Sequence, residues 1–143
     1  RADWKKDIDD PETIVIANRF TTANAVHQLS KMPKKDWDSF LSWLWDYEYD
    51  KLGVPAPDLV LYLEMTPEIS MALVSHRSAE TGQVKDIHEL DEDYMLRCHK
   101  AAAFASAKLG WKNVVCYEDK APITPEEISV KIMEEVIPLL DIA

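Results

Sequence analysis

Arg19 follows a short apolar run, Thr13-Ile14-Val15-Ile16-Ala17, and the polar Asn18. It precedes a helix-like stretch carrying Asn24, His27 and Gln28. A continuous apolar run of this length suits a strand buried on both faces. Ligands of open α/β sheets sit beyond the carboxyl ends of the strands, and Arg19 stands where such a strand would deliver its chain. A guanidinium there makes bidentate, charge-assisted bonds to a phosphate. The alternative partner is a carboxylate at the strand end. A second group of charges brackets the polar stretch Ser78 to Lys85: His76 and Arg77 before it, Asp86, His88 and Glu89 after it. These residues read either as a lid whose charges meet phosphates on closure or as the solvated rim of a loop.

Other chemistry is poorly represented. The glycines are Gly53, Gly82 and Gly110, too dispersed for GxxxxGK[ST] or GxGxxG. His27, His76, His88 and His99 form no metal-type pairs with a third ligand nearby, and no Ser-His-Asp spacing stands out. Cys98 and Cys116 make no CxxC and read as reduced, buried thiols of a cytoplasmic protein, with a disulfide as the other reading. The net charge of −10 argues against nucleic acid as the main partner. A local arginine site for a small anion remains compatible with it. No apolar run approaches ~18 residues, and no signal peptide is evident, so no membrane partner is expected.

The elements that must position these residues follow from periodicity. With 143 residues and 47 % apolar content, one globular domain spanning 1–143 is expected. The first strand covers about Thr13 to Ala17, and a helix follows over Thr21 to Lys31. Pro33 interrupts the chain. A second helix spans Lys35 to Lys51 and stops at Gly53. Trp37, Phe40, Leu41, Leu44 and Tyr47 form its apolar stripe, and Trp43 and Trp45 lie off it. That helix reads as core, or as core and subunit contact together. Leu59 to Leu63 is a second buried strand. Thr66 caps a helix with Pro67 at its first position, running to about Arg77. Ser78 to Lys85 is expected to be a mobile loop. An acidic turn at Asp91-Glu92-Asp93 opens a helix to Leu109, which stops at Gly110. A third strand covers Asn113 to Tyr117. Thr124 and Glu127 form a capping box for a last helix to about Leu140, whose Ile128, Val130, Ile132, Met133, Val136 and Leu139 are available to face the sheet. Alternating strands and helices predict a parallel α/β layered fold.

These residues resemble the thymidylate kinase family. Ile16 to Gln28, IANRFTTANAVHQ, is similar to its "DRY" segment. Pro57-Asp58-Leu59-Val60-Leu61-Tyr62-Leu63 is similar to its PDLxxxLD strand, and Ile69 to Arg77 with Asp86-Ile87-His88-Glu89 to its helix, lid and post-lid D-x-x-E. The resemblance covers the chain from Thr13 onward. It implies a three-layer, P-loop NTPase-like fold with a parallel sheet, moving the γ-phosphate of ATP to dTMP with Mg²⁺. Arg19 then matches the arginine on the dTMP phosphate and, with Arg77, a catalytic position. Phe20, Asn24, His27 and Gln28 match the dTMP site, Asn24 near the thymine edge and His27 beside the sugar. Arg77, Lys85, Asp86 and Glu89 fall in the lid, about 77–89. A homodimer is implied, with the aromatic helix as its contact.

This chain departs from the family pattern in three ways. Asn18 stands where the family has a carboxylate, and a neutral amide is a poor metal partner or proton acceptor. The lid has few cations between Arg77 and Lys85. The strand and phosphate loop that precede the DRY segment in the family are not in these 143 residues. The expectation is the C-terminal two-thirds of a kinase fold, with a vacant strand slot between the DRY and PDL strands. Two other functions compete: a catalytically inactive nucleotide-binding or regulatory homologue, and a related deoxynucleoside or nucleotide kinase.

Overall fold

Thr124 Oγ1 accepts a hydrogen bond from the Glu127 backbone N–H at 3.2 Å. The Glu127 carboxylate in return accepts from the Thr124 N–H at 2.8 Å. Helix α6, Pro125–Val136, begins from this reciprocal cap. The backbone bond and then the hydroxyl bond from Thr124 hold the Glu127 carboxyl below its usual range. Thr124→Ala is expected to cost about 1 kcal/mol. Urea denaturation checks this, and an unchanged midpoint would remove the cap from the account.

The computed structural model describes residues 5–81 and 92–140. In chain order the earlier elements are α1 (Lys5–Ile8), α2 (Thr21–Leu29), α3 (Trp37–Trp45), a π-helical turn (Asp46–Lys51), β1 (Leu61–Glu64), α4 (Pro67–Thr81) and α5 (Glu92–Leu109). Then come β2 (Lys112–Val115) and the short strands β3 (Tyr117–Glu118) and β4 (Ala121–Pro122), ahead of α6. β1 and β2 pair in parallel, with Leu61 opposite Lys112 and Glu64 opposite Val115. β3 and β4 form an antiparallel hairpin. The architecture is mixed α/β around a small parallel sheet.

The core lies among helices. Ala25 and Leu29 of α2 meet Trp37, Leu41 and Leu44 of α3 and Ala101 and Ala105 of α5. Small alanines on α5 allow α2 to approach closely. Trp37 tilts against Phe104 at 5.3 Å between ring centroids, and its indole N–H donates to the Met32 carbonyl. Gly53 and Gly110 both have positive φ, 58° and 69°, the left-handed geometry that ends a helix without a Cβ clash. Thr66 Oγ1 accepts from the Ile69 N–H at 3.3 Å, as its N-cap position predicts.

Several expectations are corrected. Residues 13–17 form no strand, and Ile14, Val15 and Ile16 are 60 %, 46 % and 91 % exposed. An apolar run becomes a buried strand only where neighbours supply ladder bonds and cover its faces. Among the described residues no strand does so. β1 is not fully buried either: Leu63 is half exposed, because the parallel sheet has β2 as its one described neighbour. The helix expected to end near Arg77 continues to Thr81, so Ser78 to Thr81 are helical rather than loop. Ala79 and Glu80 are good helix formers, and nothing breaks the helix before Gly82. On α6, Val130 and Met133 are exposed, as is Leu139 beyond it, so they do not face the sheet. Cys116 is buried, and burial pushes its thiol pKa up, whereas Cys98 is only half-buried; both are free thiols. No described helix is long and apolar enough to cross a membrane.

Candidate functional site

Arg19 occupies the turn into α2 with φ 59°, a left-handed conformation that bulky residues seldom adopt. Its side chain is exposed, as is Asn18 beside it. The half-buried Phe20 is the extended residue from which α2 begins.

Two side-chain bonds hold the first half of α2 against the π-helical turn. Asn24 Nδ2 donates to Glu48 Oε1 at 3.0 Å. The Thr21 and Tyr49 hydroxyls share a hydrogen bond of 2.6 Å. Burial raises the Tyr49 pKa, against the opposing effect of its bond to Thr21, so the phenol keeps its proton. Glu48 is 8 % exposed. The wider turn closes through a bond from the Leu52 N–H to the Tyr47 carbonyl, five residues back. The buried stripe of α3 runs Trp37, Leu41, Leu44 and then Glu48, while Tyr47, expected on that stripe, is 41 % exposed. Glu48 was not among the residues singled out from sequence. A carboxylate continuing an apolar stripe is the signal that could have found it.

Further along α2, His27 Nδ1 lies 3.2 Å from the Tyr94 hydroxyl of α5, while Gln28 is exposed. Arg77 is an exposed residue of α4, and His76 Nδ1 stands 3.4 Å from Glu80. Lys85, Asp86 and Glu89, with most of the expected lid, lie outside the described residues. The structure thus links Asn24 and His27 to neighbouring elements, and it places Arg19 and Arg77 on separate elements.

A cavity of about 420 Å³ opens beside the clamp, lined by Thr21, Glu48, Tyr49, Val60, Trp111 and Lys112 among others. Val60 precedes β1 and Lys112 begins β2, so the cavity lies at the amino ends of the strands. Helix α2 therefore does not begin over the carboxyl ends of β1 and β2, where the α/β rule expects a ligand. The reason is again the run 13–17, which feeds α2 without joining the sheet. Among the described residues no group of three or more His, Cys, Asp or Glu side chains could hold a metal. Asn18 is exposed, and its neutral amide is a weaker Mg²⁺ ligand than a carboxylate.

The geometry defines a mixed α/β chain with an exposed arginine ahead of a clamped helix. Comparison with known proteins adds a distant likeness. The chain is 24 % identical over 99 residues to the thymidylate kinases of two strains of Mycobacterium tuberculosis, CDC 1551 and H37Rv. The match covers 68 % of this chain and 46 % of those kinases, so it spans about half of their length. No protein-family model matches the chain, and no solved structure matches it.

Proposed function

We propose that this chain is part of a thymidylate kinase, with a P-loop NTPase-like fold, that transfers the γ-phosphate of ATP to dTMP to give dTDP. The observation that carries the reading is Arg19. A bulky cation held at positive φ, exposed and one residue ahead of the cap of α2, is an outlier of the kind that clusters at ligand sites. The run from Asn18 to Gln28 and the distant likeness to thymidylate kinases support the same reading.

In this reading Arg19 grips the dTMP phosphate, and Phe20, Asn24, His27 and Gln28 surround the nucleoside. Arg77 and the lid residues Lys85, Asp86 and Glu89 act on the phosphates. Mg²⁺ would arrive bound to ATP, since kinases hold this ion largely through substrate phosphates and water. The phosphate loop would come from residues other than these 143.

A second reading, a catalytically inactive nucleotide-binding homologue, is favoured by Asn18 in place of a carboxylate. A third is a related deoxynucleoside or nucleotide kinase, which the same α2 residues would serve with a different acceptor. A coupled ADP-release assay with ATP, Mg²⁺ and dTMP on the full gene product separates them. Turnover of dTMP supports the first. Binding of dTMP without turnover supports the second, and turnover of another acceptor alone supports the third.

The protein is further proposed to be a cytoplasmic homodimer joined through α3. Phe40 tilts against Trp43 at 5.6 Å between ring centroids, and Trp43 stacks on Tyr47 of the following turn at 5.2 Å. Trp43 and Trp45 are 52 % and 45 % exposed, a large aromatic surface for a charged chain. Trp43→Glu is expected to shift the gel-filtration peak to half the mass. An unchanged peak would remove this surface from the dimer.

A further inference from the structure

The bond between Asn24 and Glu48 constrains more than the position of α2. A carboxamide has a donor side and an acceptor side. Asn24 turns Nδ2 toward Glu48 Oε1 and Oδ1 away from it. A half-turn of the amide would set two oxygens against each other at a glutamate that is itself only 8 % exposed. The Thr21–Tyr49 bond lies one turn of helix away and makes the contact two-pointed.

We propose that Glu48 is a positioning residue for nucleobase choice, acting through Asn24. The inference rests on the reading that Asn24 meets the base of a bound nucleotide. One N–H of Asn24 is engaged by Glu48, which leaves Oδ1 and the other N–H. That pair complements thymine, whose N3–H donates and whose O4 accepts. Cytosine presents the reverse, an N4–H donor and an N3 acceptor. An amide locked in this orientation accepts thymine and rejects cytosine, and an amide free to flip accepts either.

The test uses Glu48→Gln in the full gene product. Glutamine keeps the shape but offers either a donor or an acceptor, so Asn24 is released to flip. Isothermal calorimetry with dTMP and dCMP gives the ratio of their dissociation constants. That ratio is expected to fall by about tenfold or more, the discrimination of one mismatched hydrogen bond. Thr21→Val is the control: it removes the neighbouring bond, loosens the same helix and is expected to leave the ratio unchanged. An unchanged ratio in Glu48→Gln overturns the inference, and so does an equal fall in Thr21→Val. If the unsubstituted protein binds neither nucleotide, the functional reading fails and takes this one with it.

A further measurement needs no substitution. Asn24 and Gln28 are both exposed, but the Asn24 carboxamide is bonded to Glu48, and by NMR its protons are expected to exchange with water at least about fivefold more slowly than those of Gln28. Equal rates would overturn the fixed orientation.

Discussion

Arg19→Gly is expected to abolish dTMP binding and, at the same time, to make the fold more stable. Hydrogen bonds to charged groups contribute about 1.5–3 kcal/mol each, and a guanidinium fork makes two. Losing both lowers kcat/KM for dTMP by about 100-fold or more. Stability moves the other way. An L-residue in the left-handed region costs about 1–2 kcal/mol, and glycine removes that cost. Glycine also makes the unfolded chain more flexible, so the net gain is about 0.5–1 kcal/mol. Urea denaturation reads one effect, and steady-state kinetics with dTMP reads the other. Arg19→Ala separates the two, since alanine loses the fork but keeps the strained backbone. A glycine variant with lower stability would mean that Arg19 is held by structure rather than retained for a ligand.

Leu29→Ala is expected to destabilise the protein by about 2–5 kcal/mol, the cost of a cavity in a packed core. Leu29 is 0 % exposed and lies where α2, α3 and α5 meet. A loss of this size is a large share of the ~5–15 kcal/mol that holds most domains folded. The urea midpoint should drop at constant slope. Val130→Ala, at a position 60 % exposed, should stay within about 0.5 kcal/mol. If Leu29→Ala cost less than about 1 kcal/mol, the three-helix junction would not be the core. Because α2 also carries Asn24 and His27, this variant should weaken nucleotide binding even below its melting temperature.

Local chemistry was legible in the sequence. The Thr66 cap, the Thr124–Glu127 box and the stops at Gly53 and Gly110 depend on a few neighbouring residues, and each is found as read. The stripe of Trp37, Leu41 and Leu44 was legible for the same reason, since periodicity is local. The run 13–17 was misread because burial of a strand depends on partners that its own residues do not encode. The length of α4 is not legible from the polar composition of Ser78 to Thr81, because such residues suit a solvated helix as well as a loop. In the candidate site, the type and place of Arg19 single it out from sequence, and its exposure and positive φ come from the structure. Glu48 was not legible, because an acidic residue in a run of acids and tyrosines looks solvated until its neighbours are known. The Thr21–Tyr49 bond was hidden too, since 28 residues separate its partners.

The run 13–17, which joins no strand among the described residues, also bears on how copies of this chain would meet. If it lay along the edge of β1 that no described strand pairs, in a second copy, the two copies would contribute different patches. Such a contact is heterologous: exchanged reciprocally it closes a pair, and made in one direction only it leaves a free patch at each end and can be repeated. The net charge of −10 is what opposes such growth, by repulsion between copies. Salt screens that repulsion while leaving backbone pairing nearly untouched, so ionic strength, and not only concentration, governs whether these chains stay apart.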